Sequence, residues 1–104
     1  MIVVTKEGYE LRLSGHAGAA PYGEDIVCAA VSALFCTLAG GISAHEELFE
    51  RTPVVYLRSG DSFVQCEPKA ECRETVDVLY DVFLSGIYSI AIEHPANLKI
   101  IIKS

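Results

Sequence analysis

The chain has 104 residues, about half of them apolar and only a fifth charged. That composition suits one folded domain over residues 1–104 and excludes a disordered polyelectrolyte. The net charge of −6 repels nucleic acid and favours basic partners, so no direct nucleic-acid function is expected.

Ile2 to Thr5 is apolar and β-branched, and Lys6-Glu7-Gly8 reads as a turn. Tyr9, Leu11 and Leu13 then alternate with Glu10, Arg12 and Ser14, the period of a strand with one wet face. Together they predict a hairpin. Residues 15 to 24 form a loop punctuated by Gly15, Gly18, Pro21 and Gly23. Asp25 is placed to cap a helix that begins near Ile26. That helix is apolar nearly all round, which predicts a position in the middle of the fold, and Gly40-Gly41 reads as its stop.

Pro53 to Arg58 predicts a strand, Ser59-Gly60-Asp61-Ser62 a turn, and Phe63 to Cys66 a short returning strand. A second helix is expected from Pro68-Lys69. Cys72, Val76, Leu79, Phe83, Ile87 and Ile90 recur in it at helical spacing and form an apolar stripe. Val78 and Val82 stand off that stripe, as a widened core face or as a subunit contact. His94-Pro95 ends the helix, and Leu98 to Lys103 is a last strand. The order β-β-α-β-β-α-β implies an α+β fold, with a largely antiparallel or mixed sheet and two helices packed on it.

Ile26 to Ala44 carries no charge and invites a membrane reading. A stop at Gly40 would leave only about 21 Å of helix against a hydrocarbon core of ~30 Å, so no membrane span is expected. No signal-peptide pattern precedes Ile2, and a reducing, cytoplasmic setting with free thiols is the expectation. Cys28, Cys36, Cys66 and Cys72 include no C-x-x-C pair, and no metal or other cofactor is implied. Cys36, Cys66 and Cys72 read as packing residues, and His45 and His94 as helix-end residues.

The chemistry concentrates on residues 15 to 32. Cys28 falls in the first turn of its helix, where unpaired amides and the macrodipole favour an anion. His16, carried by a glycine-rich loop, can fold back over the helix start as imidazolium partner or general base. The amides of that turn, including that of Cys28, are candidate oxyanion donors. Against this stands the base rate that a helical cysteine in an apolar run is a small buried hydrophobe. Two other thiol chemistries fit worse. A phosphatase loop needs an arginine where Leu34 stands, and Cys36 lies about 12 Å along the helix from Cys28, too far for a disulfide.

The run Gly15-His16-Ala17-Gly18, followed by Tyr22-Gly23-x-Asp25-Ile26-Val27-Cys28-Ala29-Ala30-Val31-Ser32, resembles the ribosomal-processing cysteine protease family, Prp. The resemblance implies a protease with Cys28 as nucleophile and His16 as its acid/base partner. Asp25 would orient the histidine, cap the helix, or do both. Ser32, one turn beyond Cys28, would steady the thiol or a substrate group, or simply pack. Gly15, Gly18 and Gly23 would let the loop open and close over a peptide, or merely permit a tight path. The implied substrate is the N-terminal extension of a bacterial large-subunit ribosomal protein (number twenty-seven), a basic partner that suits an acidic chain. The implied assembly is a homodimer. The competing function is a non-enzymatic, ribosome-associated adaptor that binds a basic peptide without cutting it.

Overall fold

The computed structural model describes residues 1–16, 18 and 25–103. Five strands and two long helices follow in the order β1 (Ile2–Glu7), β2 (Glu10–Ser14), α1 (Ile26–Ala44), β3 (Val54–Tyr56), β4 (Asp61–Gln65), α2 (Arg73–Glu93) and β5 (Leu98–Lys103). Single 3₁₀ turns, Glu46–Leu48 and Ala70–Cys72, lead out of α1 and into α2. The strands form one mixed sheet in the order β3-β4-β2-β1-β5, antiparallel except for the β1–β5 pair. This is the α+β arrangement that the element order predicts.

Register explains how the core is filled. Val4 stands opposite Leu13 and Ile100, and Leu11 opposite Val64, which collects their side chains on one face. Both helices cover that face and join the sheet in a single apolar cluster. Val27, Val31, Phe35, Leu38, Ala39 and Ile42 are the buried residues of α1; Val76, Tyr80, Phe83, Leu84 and Ile87 are those of α2. Each fully buried large side chain contributes about 1.5–3 kcal/mol. Gly86 sets the distance between the helices, because a Cβ there would lie 2.8 Å from Leu34 Cδ1. The other face of the sheet is more open, and Arg12 lies across the Phe63 ring at 5.0 Å from its centroid.

Several boundaries differ from the sequence expectation. Strand β1 runs on to Glu7, and Tyr9 sits in the turn beyond it, where its hydroxyl donates to Asp77. The Ala70–Cys72 turn, not Pro68, begins the second helical region, and Pro68 pairs with Phe49 in an isolated bridge. The larger correction concerns α1, which passes through Gly40-Gly41 and ends at Ala44. Each glycine costs about 1 kcal/mol relative to alanine. Complete burial of Ile42 just beyond them offsets that cost, and the His45 amide closes the end by donating to Ile42 O.

Helix α1 is also not central, since Ala29, Ser32, Ala33, Cys36, Thr37 and Ser43 are exposed along its outer side. The length argument against a membrane span therefore fails: α1 and the 70–93 segment both have the length and apolarity of one. What each helix does with its apolar face is the better guide, and both turn it into the protein's own core. Val78 and Val82 are 55% and 67% exposed, so they do not widen that core. His45 and His94 do occupy the helix ends, each as the C-cap.

Candidate active site

Asp25 has extended backbone geometry, and its carboxylate accepts a hydrogen bond from the Cys28 amide at 3.0 Å. Its own carbonyl accepts from Ala29 N at 3.1 Å, which starts the helical ladder. This cap fixes Cys28 within the first turn of α1. It also commits the Cys28 amide, which is therefore not the free oxyanion donor that the sequence suggested. The Cys28 side chain is partly buried, packed against the core on one side and facing a cavity on the other.

That cavity, of about 350 Å³, lies between α1 and the loop joining β3 to β4. Cys28, Ser32 and Cys36 line its helical wall at steps of four. Ile2, Leu13 and Phe35 give it apolar surface, and Leu57, Arg58, Ser59 and Gly60 form the wall opposite the helix. Cys36 is thus exposed on the same cavity wall as the candidate nucleophile, two turns further on, and is not a packing residue. Its spacing of eight from Cys28 was the signal for that placement. All four cysteines are free thiols, and among the described residues no group of acidic, histidine and cysteine side chains could hold a metal ion.

Gly15 brings the end of β2 to the same cavity. Its φ of +87° suits glycine, and a Cβ there would sit 2.3 Å from the Met1 carbonyl oxygen. The Gly15 amide donates to Gly60 O at 2.9 Å, which ties the chain just beyond β2 to the β3–β4 turn. His16 is exposed, and its ring lies over Gly60, where a Cβ would stand 3.0 Å from the imidazole Nε2. Gly18 has φ +68° with open space around it. Gly23, the third expected loop glycine, lies outside the described residues.

The structure therefore gathers Cys28, Ser32 and Gly15 around one cavity, sets Asp25 behind Cys28 as a cap, and rests His16 on the neighbouring turn. The contribution of residues 57 to 62 was not visible in the sequence. Ser59 to Ser62 read only as a turn, and its proximity to His16 follows from the long-range pairing of β4 with β2, Ser14 opposite Asp61.

The family model for cysteine protease Prp matches residues 1–99. Among solved structures, the ribosomal processing protease Prp from S. aureus, in complex with a covalently linked product peptide, is 25% identical. That match covers 99% of this chain and 100% of the other, with a TM-score of 0.74. SMU.848 from Streptococcus mutans is 29% identical over 98% of this chain and 91% of its own, at a TM-score of 0.67. The S. aureus protease with a substrate peptide shares the fold at 21% identity, covering 98% of this chain and 97% of that one, TM-score 0.65. No curated protein matches the chain.

Proposed function

The chain belongs to the cysteine protease Prp family, and on that premise we propose that it removes the N-terminal extension of a bacterial large-subunit ribosomal protein (number twenty-seven). The observation that carries the reading is the placement of Cys28. Its side chain borders a cavity wide enough for a substrate side chain, at the capped start of a helix, beside the segment that bears His16.

In this reading the Cys28 thiolate attacks the scissile carbonyl carbon, and the C–N bond breaks to leave a thioester. His16, as imidazolium, gives its proton to the departing amine. Water then attacks the thioester while His16 takes a proton from it, which releases the carboxylate product and restores the thiol. Asp25 holds Cys28 in register through its amide, and Ser32 offers a hydroxyl one turn further along the cavity wall. Gly15 and Gly18, both at positive φ, give the chain leaving β2 its path toward the peptide. The net charge of −6 supports a basic substrate; a cytoplasmic site of action, where ribosomes are assembled, belongs to the same proposal.

The same reading takes a second copy of this chain as partner. Val78, Val82 and Ile92 stand exposed on α2, away from the core, and a two-fold axis can lay one such ridge against its twin. Sedimentation of Val82→Glu tests this: the variant is expected as monomer where the wild type is dimer.

The deciding experiment incubates the purified protein with a peptide copying the host's ribosomal extension. Cleavage by wild type, lost in both Cys28→Ala and His16→Ala, supports the protease. Tight binding of the peptide with no cleavage by wild type would replace it with the adaptor reading.

A further inference from the structure

Ser62 is the one buried polar or charged residue among the described residues, at 6% exposure. It stands on β4 opposite Leu13 and faces the cavity. Its hydroxyl accepts from the Arg58 amide at 3.0 Å and donates to the Arg58 carbonyl at 2.9 Å. One side chain thereby closes the mouth of the 58–61 turn, alongside the Asp61 amide bond to the same carbonyl. A buried hydroxyl that spends both its donor and its acceptor on one residue's backbone fixes that backbone closely.

The turn so fixed is the surface on which His16 rests. Gly60 O holds the Gly15 amide at 2.9 Å. A Cβ on Gly60 would stand 3.0, 3.6 and 3.7 Å from Nε2, Cε1 and Cδ2 of the imidazole. A side chain at residue 60 would push the ring aside by a few tenths of an ångström, and the φ of +77° there also favours glycine. Ser62 and His16 are thus joined through Gly60 and belong to one assembly.

We infer that Ser62 is a positioning residue for His16, acting through the 58–61 turn. This rests on the reading of His16 as the catalytic imidazole. Displacing a catalytic group by a fraction of an ångström to an ångström slows the chemical step and leaves peptide binding largely intact.

The test combines steady-state cleavage of the ribosomal-extension peptide with NMR of the His16 imidazole, assigned by its loss in His16→Ala. In Ser62→Ala, kcat is expected to fall by about tenfold to a hundredfold with KM held within about twofold. The His16 resonance should shift or broaden. Ser62→Thr keeps the hydroxyl that binds the Arg58 amide and carbonyl, so it should restore most of kcat. Gly60→Ala, which keeps the serine but adds a Cβ 3.0 Å from Nε2 at a φ of +77°, should displace the imidazole and lower kcat as Ser62→Ala does. The inference is overturned if Ser62→Ala leaves kcat and the His16 resonance as in wild type, or if its whole effect lies in KM. Should Ser62→Ala fail to fold, Gly60→Ala and Ser62→Thr decide: a wild-type resonance and kcat in Gly60→Ala overturns it equally. Full cleavage by His16→Ala would remove the catalytic reading alone, while the resonance in Ser62→Ala still shows whether the serine holds the ring.

Discussion

Cys28 and Cys66 sit at opposite ends of the same sheet and are handled in opposite ways. Cys66 follows β4 at the end where β2 begins, in contact with Tyr80 Oη at 3.2 Å. Tyr80 in turn donates to the Tyr9 carbonyl at 2.8 Å, and its ring meets that of Tyr9 edge-on. Burial pushes the Cys66 thiol up, against a smaller opposing effect of the Tyr80 hydroxyl. Cys28 stands at the end where β2 finishes, its amide capped by Asp25 and its side chain on an open cavity. One thiol has been built into the packing; the other has been held at the edge of it. Partial burial alone does not separate them, since both are intermediate in exposure. What surrounds the sulfur does.

The largest contrast is therefore expected between Cys28→Ala and Cys66→Ala. The first should lower cleavage of the extension peptide by about a thousandfold or more, to the level of residual binding catalysis. The second should leave kcat/KM within a few-fold of wild type. Comparable losses from the two would break the contrast. Next in size is Tyr80→Phe, which leaves the Tyr9 carbonyl only the weak, 4.0 Å contact of the Cys66 thiol. A cost of about 1–3 kcal/mol is expected, read as a lower urea midpoint with cleavage at 25 °C unchanged.

The two ends also differ in how far the sequence revealed them. Alternation in Leu11 and Leu13 and the three-four spacing of Val76, Phe83 and Ile87 placed the first hairpin and the body of α2, because local period decides which face is buried. The second hairpin was legible only as an element, since β3 ends at Tyr56 and β4 already begins at Asp61, inside the expected turn. Asp25 was legible as a cap for the same local reason. The end of α1 was not, since burial of Ile42 against distant residues outweighs the glycines before it. Tyr80 escaped the apolar stripe because a tyrosine inside the core needs a partner for its hydroxyl, and the Tyr9 carbonyl is 71 positions away. Ser62 was hidden likewise. Its neighbours in sequence make a turn, and only the pairing of β4 with β2 carries that turn to His16. Contacts made across the sheet have no local signature.

A smaller effect tests the cap. Asp25→Ala removes the acceptor for the Cys28 amide and should cost about 0.5–2 kcal/mol, typically near 1, in thermal or urea unfolding. Asp25→Asn keeps an oxygen in the same place and should recover most of that stability. If Asn recovers stability and cleavage together, capping accounts for Asp25; recovery of stability alone assigns the carboxylate a further part in the chemistry.

The smallest expected effect is the alkaline loss of stability at the Cys66 end. Burial raises the affinity of Tyr80 for its proton, and the Cys66 hydrogen bond adds to it. Cys66 is likewise raised, chiefly by burial. Both groups therefore hold protons more tightly in the folded chain than in the unfolded one. Their contribution is fully present below the ordinary thiol range, about pH 8.5, and is lost as pH rises through the elevated values, because the unfolded chain releases its protons first. The urea midpoint of the wild type should accordingly fall more steeply between pH 7 and pH 10 than that of Cys66→Ala, which lacks one of the two groups and retains the other titrations. Parallel slopes for the two proteins would mean that the Cys66 thiol titrates alike in folded and unfolded chains, and that the surroundings of its sulfur do not set the contrast with Cys28.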